Sequence, residues 1–219
     1  MWTTLDLRSP AHAGAPPRLV GRNGEVIDLD LGRWLGEPTA AERRLLDRVE
    51  PPVLDIGCGP GRLVADLRRR GTPVLGIDVA PGAVSLARER GASALRCSVF
   101  DDVLDGWRWR TVLLVDGNVG IGGDPMRLFR RVRELLDGSG LVLAEVEPPG
   151  VATCRLEMRL ETATGCSAWF GWARVGVDGL GPLAAATGFT LSDVWCDQAR
   201  WFALLHSATR RPAGDPHRG

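Results

Sequence analysis

The fold is decided by the stretch Val53-Leu54-Asp55-Ile56-Gly57-Cys58-Gly59-Pro60-Gly61-Arg62-Leu63. A short apolar strand runs into a turn with three glycines, and a helix follows the turn. The next strand, Val74-Leu75-Gly76-Ile77-Asp78, ends in an acidic residue. Glycine lets the backbone pass close to a flat ligand where a Cβ atom would clash. A carboxylate at the end of the second strand is placed to accept hydrogen bonds from ribose hydroxyls. Together they predict a nucleoside-binding α/β unit.

The glycine spacing narrows the choice of ligand. The dinucleotide fingerprint G-x-G-x-x-G needs a glycine at the helix start, where this chain has Arg62. Asp55, inside the strand end, would repel a diphosphate, and it suits a cationic ligand. S-adenosylmethionine carries a sulfonium and an ammonium group and no phosphate, so the pattern favours it over a nicotinamide dinucleotide.

The stretch Asp55-Ile-Gly-Cys-Gly-Pro-Gly resembles the glycine-rich motif of class I S-adenosylmethionine-dependent methyltransferases. Three further landmarks follow in that family's order. Asp78 matches the acidic residue that binds the ribose. The segment Ala94–Asp101 is similar to the third strand and the acidic residue at the adenine amino group, with Asp102 as a rival for that role. The segment Thr111–Asn118 is similar to the fourth strand, whose acidic end faces the methyl-transfer centre.

This resemblance implies a set of site residues. The cofactor would be S-adenosyl-L-methionine, bound by Asp55, Gly57, Cys58, Gly59, Gly61, Asp78, Val79, Asp101 and Asp116. Asp116 would contact the methyl acceptor or act as a base, and Asn118 would orient the acceptor through hydrogen bonds. The alternative for Asp116 is that it only shapes the glycine-rich loop behind it. No metal is expected, because no second cluster of ligands supports Asp116 and Asn118.

The strands and helices alternate, which predicts an α/β fold. The expected architecture is a Rossmann-like seven-stranded, mostly parallel sheet with helices on both faces and an antiparallel last strand. The predicted strands are Val53–Ile56, Val74–Asp78, Ala94–Cys97, Thr111–Val115, Leu141–Val146, Phe189–Cys196 and Arg200–His206. The predicted helices are Gly61–Arg70, Pro81–Arg90, Asp124–Leu136 and Leu180–Thr187.

Two segments stand outside this alternation. The N-terminal one is predicted to form a β-hairpin over Arg18–Asp28 around Asn23-Gly24, followed by a helix that begins at a Thr39–Glu42 capping box. The other is a β-rich insert over about 150–176, in which Cys154–Glu161 pairs with Trp169–Val175. We therefore expect a cap at 1–50, a methyltransferase domain with its insert at 51–208, and a flexible tail at 209–219.

Aromatic and arginine side chains in these outer segments have two interpretations. They either cover the crevice and recognise a flat or anionic small molecule, or belong to the core and the solvated surface. They are Trp34, Trp169, Phe170, Trp172, Arg155, Arg159 and Arg174. His12 and His206 are interpreted as packed or surface residues rather than catalysts.

Composition limits the partners. The chain has 219 residues and a formal net charge of +0, and it lacks a basic stripe, so a nucleic-acid or acidic-membrane partner is not expected. Five cysteines without a C-x-x-C pair indicate reduced thiols and a cytoplasmic location. No run is long enough to span a membrane, and the N-terminus lacks the pattern of a signal peptide. The expected partner is a small-molecule methyl acceptor, and the oligomeric state stays open.

Two alternative functions remain. The first is a non-catalytic protein of the same fold that binds S-adenosylmethionine. The second is a nicotinamide-dependent oxidoreductase, which Arg62 and the absence of both tyrosine and lysine disfavour.

Overall fold

The computed structural model describes residues 17–163 and 165–208. Residues 1–16, the beginning of the expected cap, and the expected tail, residues 209–219, lie outside the described residues. No helix in the described part of the chain is long and apolar enough to cross a membrane.

The described residues form two sheets and six α-helices. The strands are β1 Arg18–Gly21, β2 Val26–Asp28, β3 Val53–Ile56, β4 Val74–Asp78, β5 Ala94–Arg96, β6 Trp109–Leu114, β7 Leu136–Val146, β8 Cys154–Thr162, β9 Gly165–Cys166, β10 Phe170–Arg174, β11 Phe189–Asp197 and β12 Arg200–Ser207. The helices are α1 Leu31–Leu35, α2 Ala40–Leu46, α3 Arg62–Arg69, α4 Pro81–Glu89, α5 Pro125–Leu135 and α6 Val177–Thr187.

The larger sheet has seven strands in the order β11-β12-β7-β6-β3-β4-β5. Strands β5, β4, β3, β6 and β7 are parallel to one another. Strand β12 runs antiparallel to both β7 and β11. The predicted architecture of a mostly parallel seven-stranded sheet with an antiparallel end is confirmed.

Helices cover both faces of this sheet because its central strands are apolar on both sides. Along β6 and β7, Leu114 and Val142 pack in one core cluster with side chains of α5 and α6. Their neighbours Leu113 and Leu143 point the other way and pack with α2 and α3. Side chains that alternate between two buried faces are typical of a central parallel sheet.

The smaller sheet joins the two outer segments. Strand β1 pairs with β2 and also with β8, and β8 pairs with β10, giving the order β10-β8-β1-β2. The predicted N-terminal hairpin and the predicted insert are therefore present, but they form one sheet rather than two separate units. We call it the cap sheet. Its buried side chains, among them Met158 and Phe170, pack against Ala80 and Ala83 at the start of α4.

Some elements differ from the sequence-based prediction. Helix α1 was not predicted, because only five residues form it. Helix α6 starts at Val177 instead of Leu180. Helix α5 ends at Leu135, one residue before the predicted Leu136, and β7 starts five residues before the predicted Leu141. Leu136 pairs with Trp109 of the neighbouring strand, so a partner distant in sequence ends the helix and lengthens the strand.

Gly61 ends the glycine turn and allows α3 and α4 to approach each other. Its φ is +79°, and a Cβ atom there would lie 2.7 Å from the Cβ of Ala87. Gly71 is a matched control, because its φ is +76° and a Cβ atom would meet nothing within 4 Å. We expect Gly71→Ala to lower the free energy of unfolding by about 1 kcal/mol through backbone strain alone. Gly61→Ala should cost about 3 kcal/mol, because overpacking adds to the strain.

Urea unfolding of the two variants measures this difference. Equal losses would show that the contact between the helices adjusts freely and that only the backbone conformation matters.

Candidate active site

A cavity of about 620 Å³ lies at the carboxyl ends of the parallel strands. Its floor is the glycine turn after β3, the end of β4, and the segments that follow β5 and β6. The cap sheet and α1 form the opposite wall. Crevices outside the carboxyl ends of parallel strands are where α/β sheets bind ligands.

Asn118 holds the glycine turn in place. Its Nδ2 donates hydrogen bonds to the backbone oxygens of Ile56 at 2.8 Å and Gly57 at 3.0 Å. A Cβ atom at position 57 would lie 2.7 Å from that nitrogen, so the close approach requires a glycine there. The prediction that Asn118 orients an acceptor stays a prediction, while the structure shows it positioning the turn.

Asp78 lies between the turn and the start of α4, and it lines the cavity. Its Oδ2 accepts a hydrogen bond from the Gly59 amide at 2.9 Å, and its Oδ1 accepts one from the Ala80 amide at 2.8 Å. Burial raises the pKa of Asp78, and the three backbone amides that bond to it oppose this shift. Each carboxylate oxygen has a second lone pair for another donor, so the residue can receive the two hydroxyls of a ribose.

Asp55 lies in β3 beneath the turn and is not among the residues that line the cavity. It is 2% exposed, and its Oδ2 has no hydrogen-bond partner among the described residues. Burial raises the pKa of Asp55 to about 7, and the neighbouring Arg62 opposes that shift. Its predicted contact with the cofactor stays a prediction.

Six charged side chains from distant parts of the chain meet beside the cavity. They are Glu42, Asp116, Glu145, Arg33, Arg62 and Arg200, and we call them the charge network. Three carboxylates face three guanidinium groups, so the network is neutral as a whole. Arg62 opens α3 and Asp116 follows β6. Arg200 opens β12, and it reaches this edge because β12 runs antiparallel to its neighbour.

Glu42 and Arg62 are the most deeply buried members of the network. Arg62 Nη2 lies 2.5 Å from Glu42 Oε1 and 2.7 Å from Asp116 Oδ2. Arg200 Nη1 lies 2.7 Å from the same Glu42 oxygen. Burial alone would raise the pKa of Glu42, but the hydrogen bonds and charge of Arg62, with Thr39 and Arg200, lower it to about 2. The pKa of Arg62 is raised by Asp116 and Glu42 even though burial opposes the charged form.

The Asp116 carboxylate forms ion pairs with three arginines. Its Oδ2 pairs with Arg62, and its Oδ1 lies 3.1 Å from Arg33 Nη2 and 3.3 Å from Arg200 Nη2. The Asp116 amide also donates to Glu145 Oε2 at 2.7 Å. Asp116 lines the cavity as expected, with a backbone φ of +60°.

The remaining predicted cofactor residues divide into two groups. Cys58, Gly59 and Val79 line the cavity, and burial raises the pKa of the Cys58 thiol. Gly61, Asp101 and Asp102 are not among its lining residues. Asp101 is exposed, and its Oδ2 accepts a hydrogen bond from the Ser98 amide at 2.8 Å. The segment Cys97–Phe100 lines the cavity on that side.

Because side chains alternate between the two faces of the cap sheet, only some of the aromatic and arginine candidates line the cavity. Phe170, Trp172 and Arg174 lie two residues apart on one face of β10 and line the cavity, as does Trp34 in α1. Arg155 and Arg159 lie on the outer face of β8 and pair with Asp124 and Glu161. Trp169 stacks outside the cavity against Arg22 and Arg159. Sequence reasoning named the right strands but could not select the face.

His206 is not among the residues that line the cavity. It pairs with Leu141 in the middle of β7, which agrees with its interpretation as a packed or surface residue. His12 lies outside the described residues. Within residues 17–163 and 165–208, no group of three or more His, Cys, Asp or Glu side chains is arranged to hold a metal.

Comparisons with known proteins find similarity to methyltransferases. Residues 53–116 match the family model described as "Methyltransferase domain". Over 147 residues the chain is 29% identical to the ubiquinone biosynthesis O-methyltransferase of Azorhizobium caulinodans, covering 65% of this chain and 55% of that protein. The match thus spans about half the length of that relative.

Solved structures show the same fold. A methyltransferase from Bacteroides fragilis, crystallised with S-adenosyl-L-homocysteine, has a TM-score of 0.75 and 20% identity, with 94% of this chain and 98% of that one covered. The 1,6-didemethyltoxoflavin-N1-methyltransferase of Burkholderia thailandensis has a TM-score of 0.58 and 21% identity, with 81% and 82% covered. Residues 53–116 therefore match a methyltransferase domain, and the chain has the fold of these methyltransferase structures. The resemblance found in its sequence is confirmed.

Substitution of Glu42 tests how much the charge network contributes to stability. Glu42→Gln keeps the capping box, because Gln serves at that position, but leaves the buried Arg62 short of a counter-charge. We expect a loss of about 3 kcal/mol in the free energy of unfolding at neutral pH. Glu37→Gln is the control, because Glu37 forms an exposed pair with Arg69 and should change little.

The same variant should change how the free energy of unfolding depends on pH in the acid range. Because the pKa of Glu42 falls from 4.5 to about 2 on folding, its ionised form stabilises the protein above 4.5 and loses this effect as the pH falls toward 2. Urea unfolding between these limits should show a shallower pH dependence for Glu42→Gln than for the wild type. An unchanged slope would mean that Glu42 is not ionised in the fold.

Proposed function

We propose that this protein is an S-adenosylmethionine-dependent methyltransferase that acts on a small-molecule acceptor. The observation that carries the proposal is Asp78, a half-buried carboxylate that lines the cavity directly beside a glycine turn. This is the arrangement that a nucleoside ligand without phosphates needs. The domain match over residues 53–116 supports the same cofactor.

The residues present fit that cofactor. Asp78 would receive the ribose hydroxyls, and Val99 and Phe100 offer an apolar wall for a flat base. When bound, the cofactor supplies an electrophilic methyl group on a sulfonium. The task of the protein is then to hold two reactants close and aligned in a cavity that excludes water.

Asp116 would act through its partners. Its two oxygens already bind Arg33, Arg62 and Arg200, which favours a role as an anchor of the cavity wall over a role as a base. In this proposal Asp116 positions Arg33 of α1 against the core, and so holds α1 at the cavity.

The acceptor would be selected by the cap. Residues 1–50 and the insert at 150–176 supply the cap sheet and α1, whose Trp34, Phe170 and Trp172 line the cavity. The domain at 51–208 would supply the cofactor site. The relatives are named for ubiquinone biosynthesis and for 1,6-didemethyltoxoflavin, which supports a small molecule as the acceptor class.

Calorimetric titration with S-adenosyl-L-homocysteine tests the cofactor assignment, with NADH as the control ligand. We expect saturable binding of the first compound alone. Asp78→Asn should weaken that binding about tenfold or more, because it removes a charged hydrogen-bond acceptor. Asp102→Asn, which changes an exposed carboxylate outside the cavity, should leave the affinity unchanged.

Equal affinities of wild type and Asp78→Asn would remove Asp78 from the site. Binding of NADH with no binding of S-adenosyl-L-homocysteine would support the oxidoreductase alternative. Detection of a methylated product by mass spectrometry would exclude the non-catalytic alternative.

A further inference from the structure

Among the described charged side chains that line the cavity, every carboxylate except one has an ion-pair or hydrogen-bond partner. Arg33, Arg62, Asp116 and Glu145 belong to the neutral charge network. Arg174 pairs with Glu25, with Nη1 and Oε1 2.8 Å apart. Arg127 is exposed at the rim, over the ring of Phe100. Asp78 is bound by backbone amides at the proposed ribose position. The carboxylate that remains is Glu147.

Glu147 lies just beyond the carboxyl end of β7 and lines the cavity. Its backbone is fixed on both sides, because its amide donates to Val175 and its carbonyl accepts from Val177. Its side chain forms no hydrogen bond or ion pair with the residues at 17–163 and 165–208. A half-buried carboxylate without an ion-pair partner of its own is unfavourable in the free protein, so it favours a ligand that brings a positive charge.

Glu147 lies among both apolar and charged groups. Val146 and Val175 beside it are buried, and the charges of Arg174, Glu145 and Glu25 act on it. The cap wall of the same cavity is apolar at Leu19, Leu29, Phe170 and Trp172. An apolar wall with one carboxylate is complementary to an apolar skeleton that carries one cationic group.

We propose that Glu147 recognises a protonated amine on an apolar, ring-sized acceptor, and that this amine is the methylated group. The inference rests on the proposed methyltransferase function. The amine must lose a proton before its lone pair can attack. In the step that follows, a C–N bond forms to the methyl carbon and the C–S bond breaks with its electron pair left on sulfur. The proton released from nitrogen passes to the Glu147 carboxylate, and the sulfonium becomes a neutral thioether.

The titration of Glu147 supports this role. Burial raises the pKa of Glu147, and the charges of Glu145 and Glu25 act in the same direction, while Arg174 on β10 opposes them. A carboxylate with a raised pKa is a better proton acceptor than an exposed one. As the pH falls through that raised pKa, Glu147 becomes neutral and should lose its preference for a cation.

Matched probes test the proposal in the complex with S-adenosyl-L-homocysteine. Tryptamine, tryptophol and indole-3-acetate share one ring and differ in the cationic, neutral or anionic group, and phenethylamine, 2-phenylethanol and phenylacetate form a second series. We expect calorimetry to give the amine at least about tenfold tighter binding than the matched alcohol in one series or both. The carboxylate should bind most weakly.

Glu147→Gln should bring the ratio of amine to alcohol affinity close to one, with unchanged binding of S-adenosyl-L-homocysteine. Glu157→Gln is the control, because Glu157 is 55% exposed on the cap sheet and pairs with Arg22 outside the cavity. In the wild type the ratio should fall as the pH is lowered through the raised pKa of Glu147, and in Glu147→Gln it should not. A residue with only a structural role would not produce this difference in pH profile.

Three results would overturn the inference: a wild type without preference for the amines, a preference that survives in Glu147→Gln, or no binding of either series to a protein that binds S-adenosyl-L-homocysteine. Failure to bind S-adenosyl-L-homocysteine at all would instead overturn the proposed function. The two failures are therefore distinguishable. Because Glu147 is uncompensated, Glu147→Gln should not lower the melting temperature, which checks that the variant is folded.

Discussion

The pairing of Arg62 with Glu42 is the interaction on which the arrangement of the site depends. A buried guanidinium is tolerated only where carboxylates surround it, and Glu42 and Asp116 meet this need. Glu42 lies on α2, Arg62 is the first residue of the helix after the glycine turn, and Asp116 follows β6. Three elements that are distant in sequence are thereby held at one edge of the sheet. The network extends through Arg200 to β12 and through Arg33 to α1. Its ion pairs therefore connect the floor of the cavity with α1 on the opposite wall.

The cap sheet has a corresponding role on the other side of the cavity. It is built from two segments more than 120 residues apart in the chain, joined by the pairing of β1 with β8. Its inner face is apolar and rests on α4, and its outer face carries arginines and acids in exposed pairs. One sheet thus separates the cavity from solvent. In the proposed function the methyl acceptor would contact the cap sheet, while the cofactor would contact the glycine turn and Asp78.

Much of the fold could be predicted from local patterns. The glycine turn, the five parallel strands and the hairpins follow from runs of apolar residues, from Asn23-Gly24 and from the alternation along β8. The predictions failed at boundaries where a distant partner decides the conformation. Leu136 continues a helical pattern in the sequence, but its pairing with Trp109 makes it part of a strand. Helix α1 is too short for its periodicity to be recognised.

The sequence by itself determined the class of fold, the glycine turn and the position of Asp78, because each depends on residues close together in the chain. Only the tertiary structure decided that Arg62 is neutralised by Glu42, that Asp116 is held by three arginines, and that Asn118 clamps the turn. It also decided that Glu147 has no ion-pair partner among the described residues. Charges have no periodicity that reveals their partners, since a carboxylate and a guanidinium 20 to 158 residues apart meet only when the sheet brings their strands together.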